Sequence, residues 1–574
     1  MSSARQRDIP RSRTFFYVLF PALLAVITVM VWSSCLQFGF VYDDHAQIEI
    51  NPRIQSFSYV GNLISEPLWA QLGASRASHY YRPLFSLLLL AEYALFGLTA
   101  SFWHAVSLAL YVLSVLAVYL LLFLLFDRML AAFAGSLVFA LLPVHTELVS
   151  WVSAVDESLF SVLLILALCA LILANRASKP RHSTYWLVLS GVLFGLSLFS
   201  KENAIFAGLI LISYQWILGQ RKKGGMGRAW LIFAVPLTLY LGSRLLVMDG
   251  SILSVPRRSA GAVLSLLPGL ARLSILQLTG LGPISSFYDS TTSPGYWARA
   301  GAAILPCAAV VGCVLLIKKA PAAGWALTLF LLPLVSWGAG LFYLSEYALF
   351  QNRYLFLPSV AIAVLIAYGL RTLDGRGLIL VTAAICLLVG PPLAFADYQA
   401  MSPYHDDLVM YQQAVRIAPQ NVVAIGLLAE TTSRTGDAAA AVNLYRRAVE
   451  LRPDLWETNF HLAMEYLRSS QKDKAEDSLV RSIGAPVGIQ GERALSWFEV
   501  GRLRSSRGDL AGAAEAFQTA EKLQPSSRRV RKELVVLLTR AGRTQDATIE
   551  RFKLSQLGSG QEIGAADESA EQSR

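Results

Sequence analysis

The chain has 574 residues, of which 55% are hydrophobic and 15% charged, with a mean hydropathy of +0.49 and a formal net charge of +10. This composition excludes a soluble globular protein. The basic excess does not indicate nucleic-acid binding, because most lysines and arginines flank apolar runs, where they set the orientation of membrane helices. The five cysteines lie in or beside apolar runs without metal-ligand spacing, so neither a disulfide framework nor a zinc site is indicated.

Apolar runs of about twenty residues recur between Phe15 and about Phe395, each long enough to cross ~30 Å of hydrocarbon. The first run lacks a small-residue cleavage site, which predicts a retained helix. Basic clusters such as NRASKPRH, GQRKKGGMGR and RTLDGR fall on one side of a topology with about eleven spans and a cytoplasmic N-terminus. Two long outer loops hold short apolar segments, YYRPLFSLLLLAEYALFG and residues 263–281. The first of these predicts a helix lying in the membrane interface.

The predicted outer ends of the helices carry many ionisable side chains, which are costly beside lipid and therefore indicate function. The segment FVYDDHAQIEINP places two adjacent carboxylates where the chain leaves the bilayer after its first span. Four segments far apart in sequence contribute these candidates: Asp43, Asp44, His45 and Arg82; His145, Glu147, Asp156 and Glu157; Lys201 and Glu202; Glu346, Asn352 and Arg353. Any one of them is an ordinary polar loop residue on its own, and their convergence on one face predicts a site.

The residue types in this predicted site indicate a chemistry. A carboxylate at the lip of a membrane cavity can act as a general base, since partial desolvation raises its pKa. Two adjacent carboxylates could instead hold a divalent metal. Arginine and lysine on the same face suit a phosphate, which arginine can bind through two hydrogen bonds at once. Together these groups predict group transfer from a membrane-anchored phosphate donor.

After Asp397 the chain becomes a series of polar, periodic helices. Prolines at positions 419, 453, 486 and 525 are spaced by 34, 33 and 39 residues, and small residues recur between them, as in RTGDAAAAVNLYRRAVELRPD and SRGDLAGAAEAFQTAEKLQPS. This pattern resembles the tetratricopeptide repeat, a helix–turn–helix unit of 34 residues. We expect three good repeats, with incomplete ones at about 403–419 and 526–557. Such units stack into a solenoid with a groove for an extended segment.

The sequence thus predicts an all-α protein in three parts. Residues 1–398 form a polytopic membrane domain, residues 399–557 an α-solenoid of tetratricopeptide repeats, and residues 558–574 a polar, disordered tail. By the parity of the spans, the repeats lie on the outer side of the membrane. The predicted location is therefore a multi-pass cell (inner) membrane, with the site and the repeats on the extracytoplasmic or periplasmic side.

Five motifs occur in order ahead of the repeats: FVYDDHAQIEINP, YYRPLFSLLLLAEYALFG, LLPVHTELVSWV, LFSKENAI and NRYLFLPSV. In this combination the chain resembles a bacterial relative of the transmembrane and tetratricopeptide-repeat O-mannosyltransferases, within the GT-C glycosyltransferases that include the protein O-mannosyltransferases. The resemblance covers nearly the whole chain and implies a membrane domain of the GT-C type. It also implies inverting transfer of a sugar, usually mannose, from a polyprenyl phosphate to hydroxyl groups such as those of protein Ser and Thr.

The resemblance implies roles for single residues. The acidic pair Asp43 and Asp44 is the catalytic motif, with Asp43 as the base, and the HTE segment from His145 to Glu147 lines the cavity. The substrate-binding candidates are His45, Arg82, His145, Glu147, Asp156, Glu157, Lys201, Glu202, Asn352 and Arg353. Among the cations, Arg353 comes ahead of Lys201 for phosphate binding, with Arg82 a further candidate. Where relatives carry a Gly-Arg-Asp type of segment after HTE, this chain has SAVDES, so that either Asp156 or Glu157 replaces the acid.

Several alternatives stay open at this stage. The same chemistry could act on a lipid or an envelope polysaccharide, although a solenoid groove favours a protein or peptide acceptor. A transporter of lipid-linked sugars would carry repeated membrane halves and helices broken at the midplane, and a non-catalytic scaffold would leave the outer acids unexplained. The expected partners are the bilayer, the lipid-linked donor and an acceptor protein, without nucleic acid. The sugar, the acceptor, a divalent metal at the acidic pair and the oligomeric state are left open by the sequence.

Overall fold

The computed structural model describes residues 11–72, 80–219, 225–248, 259–280, 282–285, 287–288, 311–341, 350–485 and 490–557. Their regular secondary structure is helical, which confirms the all-α prediction. The chain divides into two compact units, one formed mainly by the residues up to Val409 and the other mainly by those from Met410 onward. This division lies slightly beyond the predicted boundary at residue 398.

The first unit is a bundle of apolar helices. In chain order its α-helices are Arg11–Trp32, Val60–Ser65, Pro83–Phe96, Ala100–Phe126, Met129–Ala140, Thr146–Ser150, Val155–Arg176, Pro180–Ser200, Ala204–Ala207, Leu209–Ile217, Gly225–Met248, Ala260–Leu278, Pro321–Gly340, Phe356–Leu370, Gly375–Ala384 and Gly390–Met401. Residues 311–319 are helical as well. The apolar side chains that line these helices bury one another in the bundle and face outward elsewhere, as membrane helices do.

Several of these helices are long enough to cross a membrane. Within the described residues six qualify by length and composition: Phe15–Gln37, Ala100–Phe126, Val152–Arg176, Pro180–Ser200, Asn352–Leu370 and Gly375–His405. A seventh span arises if Met129–Ala140 and Pro143–Ser150, bent by 58°, are counted as one. Other apolar helices, such as Ala204–Ile217 and Pro321–Val335, are shorter. The chain is therefore a multi-pass membrane protein, and the expected number of about eleven spans stays a prediction.

The helix Pro83–Phe96 has only 14 residues. At 1.5 Å per residue it extends for about 21 Å, which is less than the hydrocarbon thickness. Its first turn begins with a proline, whose missing N–H needs no partner there. Arg82 directly precedes this proline, so the helix fixes the position of that side chain at its N-terminal end.

Close helix crossings stabilise the part of the bundle that holds the site. A Cβ atom added at Gly135, in the helix Met129–Ala140, would lie 2.6 Å from the backbone oxygen of Ala363, in the helix Phe356–Leu370. Because no side chain fits in that space, glycine is required for the two backbones to approach so closely. The helix Val155–Arg176 packs between its neighbours Ala100–Phe126 and Pro180–Ser200 and begins with two carboxylates.

The second unit is built from helix pairs, as the repeat pattern predicts. The pairs are Val422–Arg434 with Ala438–Leu451, Trp456–Arg468 with Lys472–Gly484, Gln490–Ser506 with Leu510–Leu523, and Arg528–Arg540 with Thr544–Gln556. A single helix, Asp407–Ile417, precedes them. The segment 526–557, which we expected to be an incomplete repeat, forms a complete helix pair. Its hydrophobic residues are buried against the preceding pair, and this burial is sufficient to order it without the full repeat motif.

The turn inside each pair uses the same backbone conformation. Gly436, Gly508 and Gly542 have φ values of +97°, +85° and +71°, and Ser470 occupies the equivalent turn at +59°. Glycine adopts this left-handed region readily, which explains the Gly-Asp signature in the sequence. The aspartate that follows the glycine caps the next helix, as when Asp437 Oδ1 accepts a hydrogen bond from Ala440 N at 2.9 Å.

Candidate active site

The acidic pair lies in an irregular loop after the first membrane helix, which we call the acid loop (residues 38–45). The chain leaves the 3-10 turn Ser33–Gln37 in extended conformation and then turns sharply at Tyr42, whose φ is +54°. This left-handed conformation is unfavourable for a side chain with a Cβ atom. After this turn, the carboxylates of Asp43 and Asp44 have different surroundings.

Asp44 is fully buried and its carboxylate is held by hydrogen bonds. Its Oδ2 accepts from Val41 N at 3.1 Å, and its Oδ1 accepts from both the backbone N–H and the hydroxyl of Ser153, at 2.7 and 2.5 Å. Burial raises the pKa of Asp44 to about 7, while the bonds from Ser153 and Val41 lower it. Oδ1 therefore joins the acid loop to the segment that precedes the helix Val155–Arg176, and Oδ2 closes a turn within the loop itself.

Asp43 differs from its neighbour, because its carboxylate has no hydrogen-bond or ion-pair partner among the described residues. The residue is only partly buried, so its oxygens are open to a substrate. Burial raises the pKa of Asp43 to about 6, although the positive charge of Arg353 lowers it and the negative charge of Asp156 raises it. An unpaired carboxylate with this pKa is able to accept a proton near neutral pH.

Five charged side chains from three segments form an ion cluster beside the acid loop. Arg82 is paired with Asp156 at 2.5 Å and with both oxygens of Glu202, while Lys201 Nζ lies 3.1 Å from Asp156 and 2.7 Å from Glu157. The Lys201, Asp156 and Glu157 side chains are at most 3% exposed. Burial raises the pKa of Glu202, but the Arg82 guanidinium holds it below its usual range overall. Two cations are thus neutralised by three carboxylates within the cluster.

Asp156 and Glu157 of the SAVDES segment occupy different positions in this cluster. Asp156 interacts with both Arg82 and Lys201, whereas Glu157 interacts with Lys201 alone. Asp156 also acts on the acid loop, because its negative charge raises the pKa of Asp43. The geometry therefore assigns the central position in the cluster to Asp156.

Among the three candidate cations, Arg353 makes the fewest contacts with carboxylates. It has no ion pair within 4 Å among the described residues, and its Nε is buried without a hydrogen-bond partner. Its guanidinium carbon instead lies 4.4 Å from the centre of the Trp151 ring, a cation–π contact that orients the side chain without neutralising its charge. The side chain is only partly buried. An anion can therefore still bind to it.

Glu147 and Asn352 fix the turn that carries Arg353. Glu147 is fully buried and accepts hydrogen bonds from Arg353 N at 3.2 Å and from Asn352 Nδ2 at 3.3 Å. Asn352 also donates to Ser285 O at 2.9 Å and accepts from the Tyr288 hydroxyl at 3.0 Å. All four polar side-chain atoms of Asn352 and Glu147 are hydrogen-bonded to backbone or buried groups in this network. Glu147 and Asn352 thus fix the backbone of the turn on which Arg353 lies.

The two histidine candidates have other surroundings. His45 lies between two carboxylates, with Nε2 2.8 Å from Asp407 Oδ2 and Nδ1 hydrogen-bonded to Glu49. His145 is fully buried away from the ion cluster, with Nδ1 2.9 Å from the Tyr111 hydroxyl and Nε2 2.9 Å from the Ser359 hydroxyl. His145 thus joins the helices Ala100–Phe126 and Phe356–Leu370 across the bundle.

The structure therefore brings together most of the residues that the sequence singled out. Those in or around the ion cluster and the acid loop are Asp43, Asp44, Arg82, Glu147, Asp156, Glu157, Lys201, Glu202, Asn352 and Arg353. His45 lies at the edge of the acid loop and His145 lies in the helix core. Glu346 is outside the described residues.

Sequence reasoning missed the aromatic and hydroxyl residues that shape the site. The Trp151 ring contacts both Arg353 and Tyr42, whose ring centroid lies 5.5 Å away, and Arg82 lies 4.5 Å from the centre of the Tyr80 ring. Trp151 and Tyr80 stand within motifs that we had quoted for their charges. Trp151 and Tyr80 lie close in sequence to the charged residues of the same motifs, and this closeness could have indicated their place in the site. Ser153 and Asp407 had no such signal, because their partners are more than a hundred residues away in sequence.

The two members of the acidic pair differ in what they offer to a divalent metal. Both Asp44 oxygens already accept hydrogen bonds, so that Asp43 alone could offer a free oxygen. Within the described ranges no group of three or more His, Cys, Asp and Glu side chains has the arrangement of a metal site.

Comparison with known proteins gives matches to both parts of the chain. A family model for the tetratricopeptide repeat matches residues 424–455. The human protein O-mannosyl-transferase TMTC3 is 20% identical over 596 residues, which covers 93% of this chain and 64% of that protein. The Caenorhabditis elegans protein O-mannosyl-transferase F38B6.6 is 29% identical over 199 residues, 34% of this chain and 28% of that protein. The chain thus spans less than two thirds of the length of these relatives.

Among solved structures, the crystal structure of ArnT from Cupriavidus metallidurans bound to undecaprenyl phosphate aligns with 80% of this chain and 79% of its own, at 15% identity and a TM-score of 0.41. The apo structure of the same protein aligns similarly, with 16% identity and a TM-score of 0.41.

Proposed function

We propose that this chain, a homologue of the transmembrane and tetratricopeptide-repeat O-mannosyltransferases, is a membrane glycosyltransferase that moves a sugar from a polyprenyl phosphate to an acceptor hydroxyl. The homologues named as O-mannosyl-transferases support the transferase class and mannose as the sugar. The observation that carries the proposal is that the Asp43 carboxylate and the Arg353 guanidinium are both without an ion-pair partner among the described residues, while the charge of Arg353 acts on Asp43. A base and a phosphate-binding cation are the two groups that such a transfer requires.

Asp43 acts as the general base. The acceptor oxygen attacks the anomeric carbon of the sugar from the face opposite the phosphate, and its proton passes to a carboxylate oxygen of Asp43. The bond between the anomeric carbon and the phosphate oxygen breaks, and the polyprenyl phosphate leaves with the bonding electrons. The configuration at the anomeric carbon is inverted. A pKa near the working pH suits this role, because the base must be ionised before the reaction and protonated after it.

Arg353 binds the phosphate of the donor. A phosphodiester carries one negative charge, which a free guanidinium can bind through two parallel N–H···O bonds. Arg82 and Lys201 are less suited to this role, since three carboxylates already neutralise them. Their task is to keep Asp156 ionised and in position. Negative charge on Asp156 then raises the basicity of Asp43.

The acceptor is a protein or peptide, and the repeats provide its binding surface. Tetratricopeptide repeats stack into a groove that fits an extended segment, and an extended segment exposes Ser and Thr hydroxyls. A lipid or polysaccharide acceptor would leave this surface without a use. We place the site and the repeats on the extracytoplasmic side, because the basic clusters of the sequence lie at the opposite helix ends.

A reconstituted transfer reaction tests the proposal. The full chain in liposomes receives polyprenyl-phosphate mannose labelled in the sugar, together with a Ser/Thr-rich protein and the bilayer lipids as competing acceptors. We expect label in the protein, released by mannosidases of one anomeric specificity only, opposite to that of the donor. Label in lipid alone would contradict the acceptor, and retention of configuration would contradict direct attack. No transfer from any polyprenyl-phosphate sugar would contradict the enzyme itself.

A further inference from the structure

The acid loop is attached to a residue almost 370 positions later in the chain. Asp407, the first residue of the helix Asp407–Ile417, accepts a hydrogen bond from Tyr42 N through Oδ1 at 3.0 Å. Its Oδ2 lies 2.8 Å from His45 Nε2. The Asp407 side chain is only 13% exposed. One carboxylate therefore holds the residue before Asp43 and the second residue after it, and we call this arrangement the Asp407 latch.

The latch contacts the acid loop at Tyr42, the residue that has an unfavourable backbone conformation. Tyr42 has a φ of +54°, and a residue with a Cβ atom leaves this region unless other contacts hold it. A change of φ at Tyr42 would rotate the following peptide and move the Asp43 carboxylate. The hydrogen bond from Tyr42 N to Asp407 fixes the peptide before this torsion, and the contact of Asp407 with His45 fixes the chain after it, so that the two together oppose the rotation.

His45 is a charged member of the latch. Each of its ring nitrogens faces a carboxylate, Asp407 on one side and Glu49 on the other. Both nitrogens can donate only in the protonated imidazolium, so the ring carries a positive charge. These hydrogen bonds raise the pKa of His45 to about 10. With both nitrogens in use, the ring is occupied in the latch and is a poor ligand for a substrate.

A neighbouring contact strengthens the attachment. Gly39 N donates to His405 O at 3.2 Å, and Gly39 O lies 3.1 Å from His104 Nε2. The segment 405–407 thus contacts the acid loop at two places, on either side of Val41. In contrast, the adjacent Asp406 caps its own helix by accepting from Val409 N at 2.9 Å and pairs only with His405.

We propose that Asp407 is a positioning residue for the transfer reaction, which holds the Asp43 carboxylate through Tyr42 and His45 in the orientation that accepts the proton of the acceptor hydroxyl. This inference rests on the proposed function of Asp43. Asp407 itself touches neither substrate nor reacting atoms. Asp407 and the acid loop both belong to the first compact unit, in which Asp407 lies after the last apolar helix.

The variant Asp407→Asn tests the latch because asparagine keeps the size and one acceptor oxygen but loses the charge. We expect kcat to fall on the order of 10- to 100-fold, since a displacement of about 1 Å at a reacting group has effects of this size. The KM for the donor should not change, because Arg353 and the ion cluster are untouched. The matched control is Asp406→Asn, which removes an adjacent carboxylate without contact to the acid loop and should leave both constants unchanged.

A double variant shows whether His45 and Asp407 act together or independently. If His45 and Asp407 act as one unit, His45→Gln should lower kcat by a similar factor, and His45→Gln combined with Asp407→Asn should be no worse than either alone. Multiplying losses would contradict the latch. The His45→Gln variant also keeps the test available if Asp407→Asn does not fold.

A measurement independent of activity uses diethyl pyrocarbonate, which modifies neutral imidazole, followed by mass spectrometry of the full-length protein at pH 7. We expect His45 to react faster in Asp407→Asn than in the wild type and in Asp406→Asn, because one ring nitrogen loses its carboxylate partner while Glu49 still holds the other. Equal reactivity of His45 in all three would overturn the latch. An active wild type with unchanged kcat in Asp407→Asn would overturn the positioning role alone, whereas a wild type without transfer would overturn the proposed function and this role together.

Discussion

Ser153 donates two hydrogen bonds to the same oxygen of Asp44, from its backbone N–H at 2.7 Å and from its hydroxyl at 2.5 Å. The two residues are 109 positions apart in the chain. Their contact divides the acidic pair into a carboxylate that holds the loop and a carboxylate that is free to react. The two members of the motif therefore have different surroundings, which is consistent with the different roles that we propose for them.

The contact between Ser153 and Asp44 predicts a stability effect. In Ser153→Ala a buried carboxylate oxygen loses one of its donors, which should cost about 1–3 kcal/mol of unfolding free energy. Thermal unfolding in detergent, followed by tryptophan fluorescence, should show a lower Tm. The matched control is Ser158→Ala, because the Ser158 hydroxyl is fully buried with no hydrogen-bond partner among the described residues. Equal Tm values for the two variants would contradict the role of Ser153.

Catalysis should depend on pH through Asp43. Because burial raises the pKa of this carboxyl to about 6, the ionised base accumulates as the pH rises, and kcat/KM should increase to a plateau with a midpoint near pH 6. A sugar phosphodiester does not titrate in this range. Removing the charge that lowers this pKa, in Arg353→Gln, should shift the midpoint upward in the residual activity. A profile that falls with rising pH between about pH 5 and 8 would contradict a carboxylate base.

Binding of the donor should depend on Arg353. The loss of charge-assisted hydrogen bonds to a phosphate is worth about 1.5–3 kcal/mol, which is on the order of 10- to 100-fold in affinity. We expect Arg353→Gln to raise the KM for the donor by this factor. The control Arg371→Gln removes an arginine that packs on Tyr368 after the same helix and has no partner in the site, so its KM should equal that of the wild type. Equal KM values for both variants would exclude Arg353 as the phosphate ligand.

The repeats should respond differently to two glycine substitutions. A Cβ atom at Gly501 would lie 2.7 Å from the Phe517 ring, so Gly501→Ala should destabilise the helix pair by about 1–3 kcal/mol. Gly426 lies inside the helix Val422–Arg434 with open space around its Cβ position. Gly426→Ala should therefore stabilise the unit by about 0.5–1 kcal/mol. Limited proteolysis of the repeats in the full chain measures both changes, and faster cleavage of Gly426→Ala would contradict the account.

The sequence predicts the fold class, because the fold class follows from simple periodicities. Hydropathy identifies the membrane helices, and prolines about 34 residues apart identify the repeats. The parity of the spans also predicts that acids and cations from four distant segments meet at one end of the bundle. Arg82, Asp156, Lys201 and Glu202, which come from three of these four segments, form ion pairs with one another.

The roles of single residues could not be predicted in the same way. Which of two adjacent carboxylates is free depends on the φ of Tyr42 and on a serine 109 residues away, and neither leaves a local pattern. The same holds for His45, whose partner Asp407 belongs to a helix that begins 362 residues later. Tertiary contacts of this kind determine the surroundings of each side chain, and they leave no periodic pattern in the sequence.

The most direct test of the account is the rate of sugar transfer from polyprenyl-phosphate mannose to membrane proteins, compared between the wild type and Asp43→Asn at matched expression and equal Tm. Asparagine keeps the shape of the side chain and cannot accept the proton. We predict a loss on the order of 10²- to 10⁴-fold, which is the usual contribution of a general base. Equal rates in the two proteins would contradict the assignment of Asp43 as the base, and with it the account of this site.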